Sequence, residues 1–164
     1  MSRCDSFFIG LGSNLDDPTA QLDRALRSLQ VANVEVCQTS SRYRTEPVGG
    51  PSQPWFLNQV AHVRFVDSPL ALLRLCQSIE HRQGRERKLR NGPRVLDLDL
   101  LLCGDVILDS PPLSLPHPRL SERRFVLVPL VEIAPRVVDP RSGLSLEELL
   151  RRCEDRSVVE RVRA

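Results

Sequence analysis

Two periods of apolar residues alternate along the chain and set its predicted elements. Residues 7–12 (Phe-Phe-Ile-Gly-Leu-Gly) are a short apolar run, predicting a buried strand that ends in a turn. Asp17 followed by Pro18 is a helix-start signal, a capping residue with proline at the first helical position. Leu22, Ala25, Leu26 and Leu29 then fall on one helical stripe. A second strand is predicted over 34–42 and a third over 58–66, where Ala61, Val63 and Phe65 share one face. Ser68-Pro69 repeats the helix-start signal, Leu72, Leu75, Cys76 and Ile79 repeat the stripe, and Gly84 supplies a stop. Leucines at 96, 98 and 100 mark a strand across 95–103. The order βαββαβ predicts a ferredoxin-like α/β sandwich of the α+β class, an antiparallel sheet with two helices on one face. Ser145 and Glu148 form a capping box ahead of Leu146, Leu149, Leu150 and Cys153, which predicts a C-terminal helical extension. The residues from Asp155 onward are expected to be peripheral.

Two stretches break the pattern. Residues 45–56 hold Pro47, Gly49, Gly50, Pro51 and Pro54, and residues 84–94 are heavily charged. Loops of that length in a compact domain are usually functional or disordered, and both flank predicted strands, so both can close over one face of the sheet. The 164 residues are one domain's worth, and a single domain over 1–164 is expected. Twenty-three basic side chains against 21 acidic ones leave a net charge of only +2, which argues against a nucleic-acid or anionic-membrane partner. Cys4, Cys37, Cys76, Cys103 and Cys153 are odd in number and scattered without a CxxC pair. That excludes a zinc ribbon and a disulfide framework, and a reduced, cytoplasmic protein is expected. The longest apolar run, 125–131, contains Pro129 and is too short to span a bilayer, and no export signal is visible.

The strongest chemical signal is Leu96-Asp97-Leu98-Asp99-Leu100. Strand alternation puts both carboxylates on one face, their Cα atoms about 6.5–7 Å apart, with the leucines on the other. Two carboxylates inside an apolar run need a positive partner, and magnesium accepts one or two of them together with water and substrate phosphates. Immediately upstream, residues 82–94 carry six positive charges and one negative, a local excess of +5. A cationic loop beside paired carboxylates suits a metal-bound polyphosphate, whose charge metals and guanidinium groups neutralise together. There is no P-loop and no kinase signature, so ATP would have to be bound by another architecture. Pro116-His117-Pro118 holds a histidine in a non-helical turn where it can donate to phosphate.

These residues stand in a colinear series with Gly10 to Leu15, Ser41 to Pro47, Phe56-Leu57-Asn58, Gly84-Arg85, Leu115 to Leu120, Arg123 to Leu127 and Pro129 to Pro135. With Gly92-Pro93-Arg94-Val95-Leu96-Asp97-Leu98-Asp99-Leu100-Leu101-Leu102 at its centre, the series closely resembles the 6-hydroxymethyl-7,8-dihydropterin pyrophosphokinases. The resemblance implies transfer of pyrophosphate from ATP to the pterin's hydroxymethyl oxygen, with release of AMP, a step of tetrahydrofolate biosynthesis. It implies two Mg²⁺ ions on Asp97 and Asp99, a two-metal clamp for in-line displacement. Arg85 and Arg94 would stabilise transition-state charge, and Arg87 and Lys88 would ride on the basic loop over ATP. Gln77, Ser114, His117 and Arg123 would be further ATP contacts, with adenine held by backbone groups near Leu100. The pterin would lie between Phe56 and Phe125, its edge read by Thr45, Asn58 and the backbone of Val48, with its reacting hydroxyl toward Asp97. A monomer with no nucleic-acid or membrane partner is expected.

Two other classes compete on sequence alone. A ferredoxin-like RNA-binding module would stack bases on sheet aromatics, but the third strand has no aromatic series and the chain has seven aromatics in all. A more cautious reading is a two-metal nucleotidyl or phosphoryl transferase acting on another small alcohol.

Overall fold

The computed structural model describes residues 4–84 and 91–163. Among the described residues eight strands and four α-helices follow one another: β1 (Ser6–Ser13), α1 (Pro18–Val31), β2 (Glu35–Thr39), β3 (Tyr43–Thr45), β4 (Phe56–Arg64), α2 (Pro69–Arg82), β5 (Asp97–Cys103), β6 (Leu108–Ser110), β7 (Leu113–Leu115), α3 (Arg124–Ile133), α4 (Leu146–Arg152) and β8 (Val159–Arg161). The main sheet runs β5-β1-β4-β3-β8, with β2 also paired to β4, and β6-β7 form a separate hairpin. The pairings are antiparallel. The βαββαβ core expected from the sequence is therefore present.

Both helix-start signals act as capping predicts. The Asp17 carboxylate accepts from Ala20 N at 3.3 Å, and Ser68 Oγ accepts from Ala71 N at 3.1 Å. The stripes Leu22, Ala25, Leu29 and Leu72, Cys76, Ile79 are buried against Phe7, Ile9, Leu11, Leu98 and Leu100 on one face of the sheet. Each such large side chain contributes about 1.5–3 kcal/mol when removed from water.

Four features differ from the sequence reading. The stretch 34–42 is two strands, because Ser40 interrupts the ladder: its hydroxyl takes the Val60 N–H at 2.9 Å in place of a backbone carbonyl. β2 then pairs with the Arg64 end of β4, and β3 with its Phe56 end. Helices cover the second face of the sheet as well, where α3 and α4 bury Phe8, Val60, Leu101 and Leu102. That adjacent Leu101 and Leu102 both reach this layer follows from an irregularity in the β1–β5 register, where Phe8 and Ile9 oppose Leu102 and Leu100. The residues after Asp155 are not peripheral: β8 adds to the sheet edge, setting Val159, Glu160 and Arg161 opposite Thr45, Arg44 and Tyr43. Finally, Cys4 and Cys103, read as reduced thiols, are joined by a disulfide with Cα atoms 6.3 Å apart, while Cys37, Cys76 and Cys153 are free. Among the described residues no helix is long and apolar enough to cross a membrane.

Candidate active site

The second face of the sheet is not covered along its whole length. Between α3 and the ends of β1, β3, β4 and β5 lies a cleft of about 260 Å³, on the scale of a small-ligand pocket. Asp97 and Asp99 line it together from β5, as the alternation requires, opposite Gly12 and Gly10 of β1. Thr45, Val48, Phe56, Asn58, Arg94, Arg123 and Phe125 line it too. Nine of the residues singled out in the sequence thus meet at one place, drawn from β3, β4, β5, α3 and the loops between them.

Local chemistry fixes several of these side chains. Asn58 Nδ2 donates to Thr45 Oγ1 at 2.7 Å, across the β3–β4 pair, which orients the Asn58 amide. A Cβ at Gly12 would lie 2.6 Å from Asn58 Oδ1, so glycine there leaves room for that amide. Arg94 Nη1 donates to Asp97 Oδ2 at 2.8 Å. Its backbone is held at both sides by Asn14, whose Oδ1 accepts from Arg94 N at 2.8 Å and whose N–H donates to Arg94 O at 3.0 Å. Asn14 Nδ2 also donates to Gln53 Oε1 at 3.0 Å, and Gln53 Nε2 donates to Asn91 O at 2.7 Å. The two long loops are therefore joined, and Val48, Gly49, Asn91 and Gly92 border the same cleft, as the sequence suggested.

Arg123 stands at the head of α3, 5.7 Å over the Phe125 ring. Burial lowers the pKa of its guanidinium, and Asp99 and Asp97 oppose that shift. His117 lies outside the cleft lining but within electrostatic reach of Arg123 and Asp97. Burial and then Arg123 push its pKa down to about 4. Its Nδ1 accepts from Arg119 N at 3.1 Å, which assigns the proton of the neutral ring to Nε2.

The donor set suits a hard cation. Two carboxylates two residues apart on one strand, facing a cleft ringed by arginines, match the sparse protein ligation of magnesium, which keeps places for water and phosphate oxygens. Among the described residues no cluster of three or more His, Cys, Asp or Glu builds a closed cage.

Other expectations fall elsewhere. Gln77 is exposed on α2, Leu100 turns its side chain into the opposite core layer, and Ser114 is half-buried on β7; none lines the cleft. Arg85, Arg87 and Lys88 lie outside the described residues. Arg119 and Glu46 line the cleft without having been given a role. Arg119 was within reach of the sequence reading, since it follows the Pro-His-Pro turn directly.

A family model described as 7,8-dihydro-6-hydroxymethylpterin-pyrophosphokinase (HPPK) matches residues 8–135, most of the chain. The chain belongs to this family. It is similar to the 2-amino-4-hydroxy-6-hydroxymethyldihydropteridine pyrophosphokinase of Haemophilus influenzae, 42% identical over 154 residues, covering 93% of this chain and 96% of that one. The Pseudomonas aeruginosa protein of the same name is 43% identical over 147 residues, 89% of this chain and 90% of its own. Among solved structures, an HPPK-DHPS in complex with substrates matches with a TM-score of 0.71 over 92% of this chain. At 12% identity that likeness establishes the HPPK fold alone, and this chain spans 43% of the solved one.

Proposed function

We propose that this pyrophosphokinase uses the cleft above β5 to move the terminal pyrophosphate of ATP onto the hydroxymethyl oxygen of 6-hydroxymethyl-7,8-dihydropterin, yielding AMP and the pterin diphosphate. The observation that carries the site assignment is that Asp97 and Asp99 open into the same cleft as Phe56, Phe125, Asn58 and Thr45. The cleft thus offers both charge for a polyphosphate and flat apolar surface with an oriented amide.

Each group then has a defined task. Phe56 and Phe125 stack on the pterin rings, worth about 0.5–1.5 kcal/mol per pair beyond buried area. Asn58, pinned by Thr45, and the backbone of Val48 read the heterocycle's edge. Asp97 and Asp99 would hold two Mg²⁺ ions, which when bound neutralise phosphate charge and lower the cost of bringing an alcohol oxygen to phosphorus. Arg94 and Arg123 spread positive charge over the transferred group, and with Arg85 they follow its charge into the transition state. His117 donates from Nε2 as a neutral ring. Gln77, Ser114, Arg87, Lys88 and the backbone near Leu100 serve the nucleotide. Phosphoryl-type transfer needs positioning and charge neutralisation and no covalent intermediate, so no side-chain nucleophile is required.

The test is product identity. With ATP, magnesium and the pterin alcohol, chromatography should recover AMP and pterin diphosphate in equal amounts. ADP with a pterin monophosphate would refute the transfer unit.

A further inference from the structure

The C-terminal tail contributes no residue to the cleft lining, yet it is bonded to both of its walls. On one wall, Asp155 Oδ2 accepts from Arg124 N at 3.0 Å, the first N–H of α3, between Arg123 and Phe125. The cap residue Arg123 makes no side-chain capping bond of its own, so the tail's carboxylate satisfies a donor that the helix itself leaves open. Asp155 Oδ1 in turn accepts from Ser157 N at 2.9 Å, which fixes the carboxylate's direction. On the other wall, Val158 N donates to Glu46 Oε1 at 2.7 Å, and Glu46 N donates to Val158 O at 3.2 Å. β8 then pairs with β3 through Thr45, and Val162 N donates to Arg42 O at 2.8 Å.

Two further bonds tie the far end of α3 to β3 and to the residues just before it. Tyr43 OH donates to Glu132 Oε1 at 2.5 Å, and Ser41 N donates to Glu132 Oε2 at 2.6 Å. Helix α3 is thereby anchored at its first turn by the tail and at its last turn by β3, whose other edge carries the tail's own strand. Phe125 sits on the anchored first turn of α3. Thr45 and Glu46 sit where the tail meets β3, and Phe56 opposes Thr45 in the β4 register.

We infer that the tail is a strap setting the gap between Phe125 and the Thr45–Phe56 wall, and that Asp155 is a positioning residue for the pterin. This rests on the pterin reading of the cleft given above. Asp155 touches neither substrate. It acts through the start of α3, and its removal frees that turn to move relative to β3 and β4. Asp97, Asp99 and Arg94 are held by β5 and Asn14, which the strap does not touch, and only Arg123 stands on the capped turn, so the larger effect falls on the pterin.

The experiment is steady-state kinetics on the full chain, with equilibrium titration of the pterin alcohol by its fluorescence. In Asp155→Ala the pterin KM and Kd should rise about fivefold, the factor matching loss of an ordinary helix cap, while the ATP KM and kcat stay within about twofold. Asp155→Asn keeps one acceptor oxygen for two donors and should show the same one-sided shift, smaller in size. It carries the test should the alanine variant not fold. An unchanged pterin KM in a folded variant, or a parallel rise in both KM values, overturns the strap. Failure of the unaltered chain to bind the pterin alcohol refutes the underlying reading of the cleft and the strap with it. A shift confined to kcat overturns the strap alone.

Discussion

Arg94 and Asp97 are joined by a 2.8 Å ion pair across one turn of irregular chain, at the point where the basic loop enters β5. Each side chain keeps about a fifth to a quarter of its surface open, so the pair faces the cleft rather than the core. A carboxylate held this way is preorganised for a cation, and the guanidinium is preorganised for the phosphate that arrives with it.

Replacing either aspartate tests this directly. Asp97→Asn and Asp99→Asn preserve volume and remove one negative charge each. Both should lower AMP formation by at least about a hundredfold, the range seen when one group stabilising transition-state charge is lost. Their thermal midpoints should stay within a few degrees of the unaltered chain, because an exposed-to-half-buried ion pair contributes only about 1 kcal/mol. Retained turnover in both variants would remove them from the chemistry.

His117 gives a pH prediction with a definite sign. Its pKa is about 4 in the folded chain, against an ordinary 6.5. The unfolded chain therefore takes up the proton first as pH falls, and folding stability drops between about 6.5 and 4. Urea midpoints measured at pH 7 and pH 5 should fall further for the unaltered chain than for His117→Gln. Above about pH 5 the ring of the substrate-free enzyme is neutral with Nε2 protonated. The profile of kcat/KM between pH 5 and 8 should accordingly contain no step that disappears in His117→Gln.

The Cys4–Cys103 disulfide closes a span of 99 residues and ties the segment before β1 to the end of β5. Thiol titration of the denatured, unreduced chain should find three cysteines rather than five. Reduction should lower the urea midpoint, and chain-entropy reasoning for a loop of this length gives a loss of up to about 4–5 kcal/mol. A count of five would return the chain to the fully reduced state that its cysteine spacing suggested.

How much of this was legible in advance depends on which physical rule governs each residue. Asp97 and Asp99 were readable because strand alternation is strictly period two, and the irregularity at Leu101 comes after them. The caps at Asp17, Ser68 and Ser145 were readable because side-chain capping is local. Phe56 and Phe125 look like core residues by type, and only the colinear motifs separated them from the rest of the apolar set. Helix α3 escaped the pattern because it is apolar nearly all round and contains Pro129, which hides the 3.6 period. Asp155, Glu132 and β8 are long-range partners. Nothing in a local window tells that Asp155 caps a helix 31 residues earlier or that residues 159–161 pair with 43–45. The disulfide is of the same kind, since spacing carries no information on which cysteines meet in space.

Two glycines on one strand separate a packing role from a binding one. A Cβ at Gly10 meets Leu101 at 3.6 Å, ordinary contact, whereas a Cβ at Gly12 would lie 2.6 Å from Asn58 Oδ1. Both residues are extended and border the cleft, so backbone strain does not distinguish them. Gly10→Ala should therefore leave the thermal midpoint nearly unchanged. Gly12→Ala must shift the Asn58 amide, the end of a short side chain, and so disturbs its 2.7 Å bond to the buried Thr45 hydroxyl. The rearrangement should cost about 1 kcal/mol of stability. The displaced amide no longer reads the heterocycle's edge, so the pterin Kd should weaken by about tenfold or more. Isothermal titration with the pterin alcohol, run beside a thermal melt of each variant, checks both effects. Equal pterin affinity in Gly12→Ala and the unaltered chain would show that Asn58 does not read the ring, whatever the melt records.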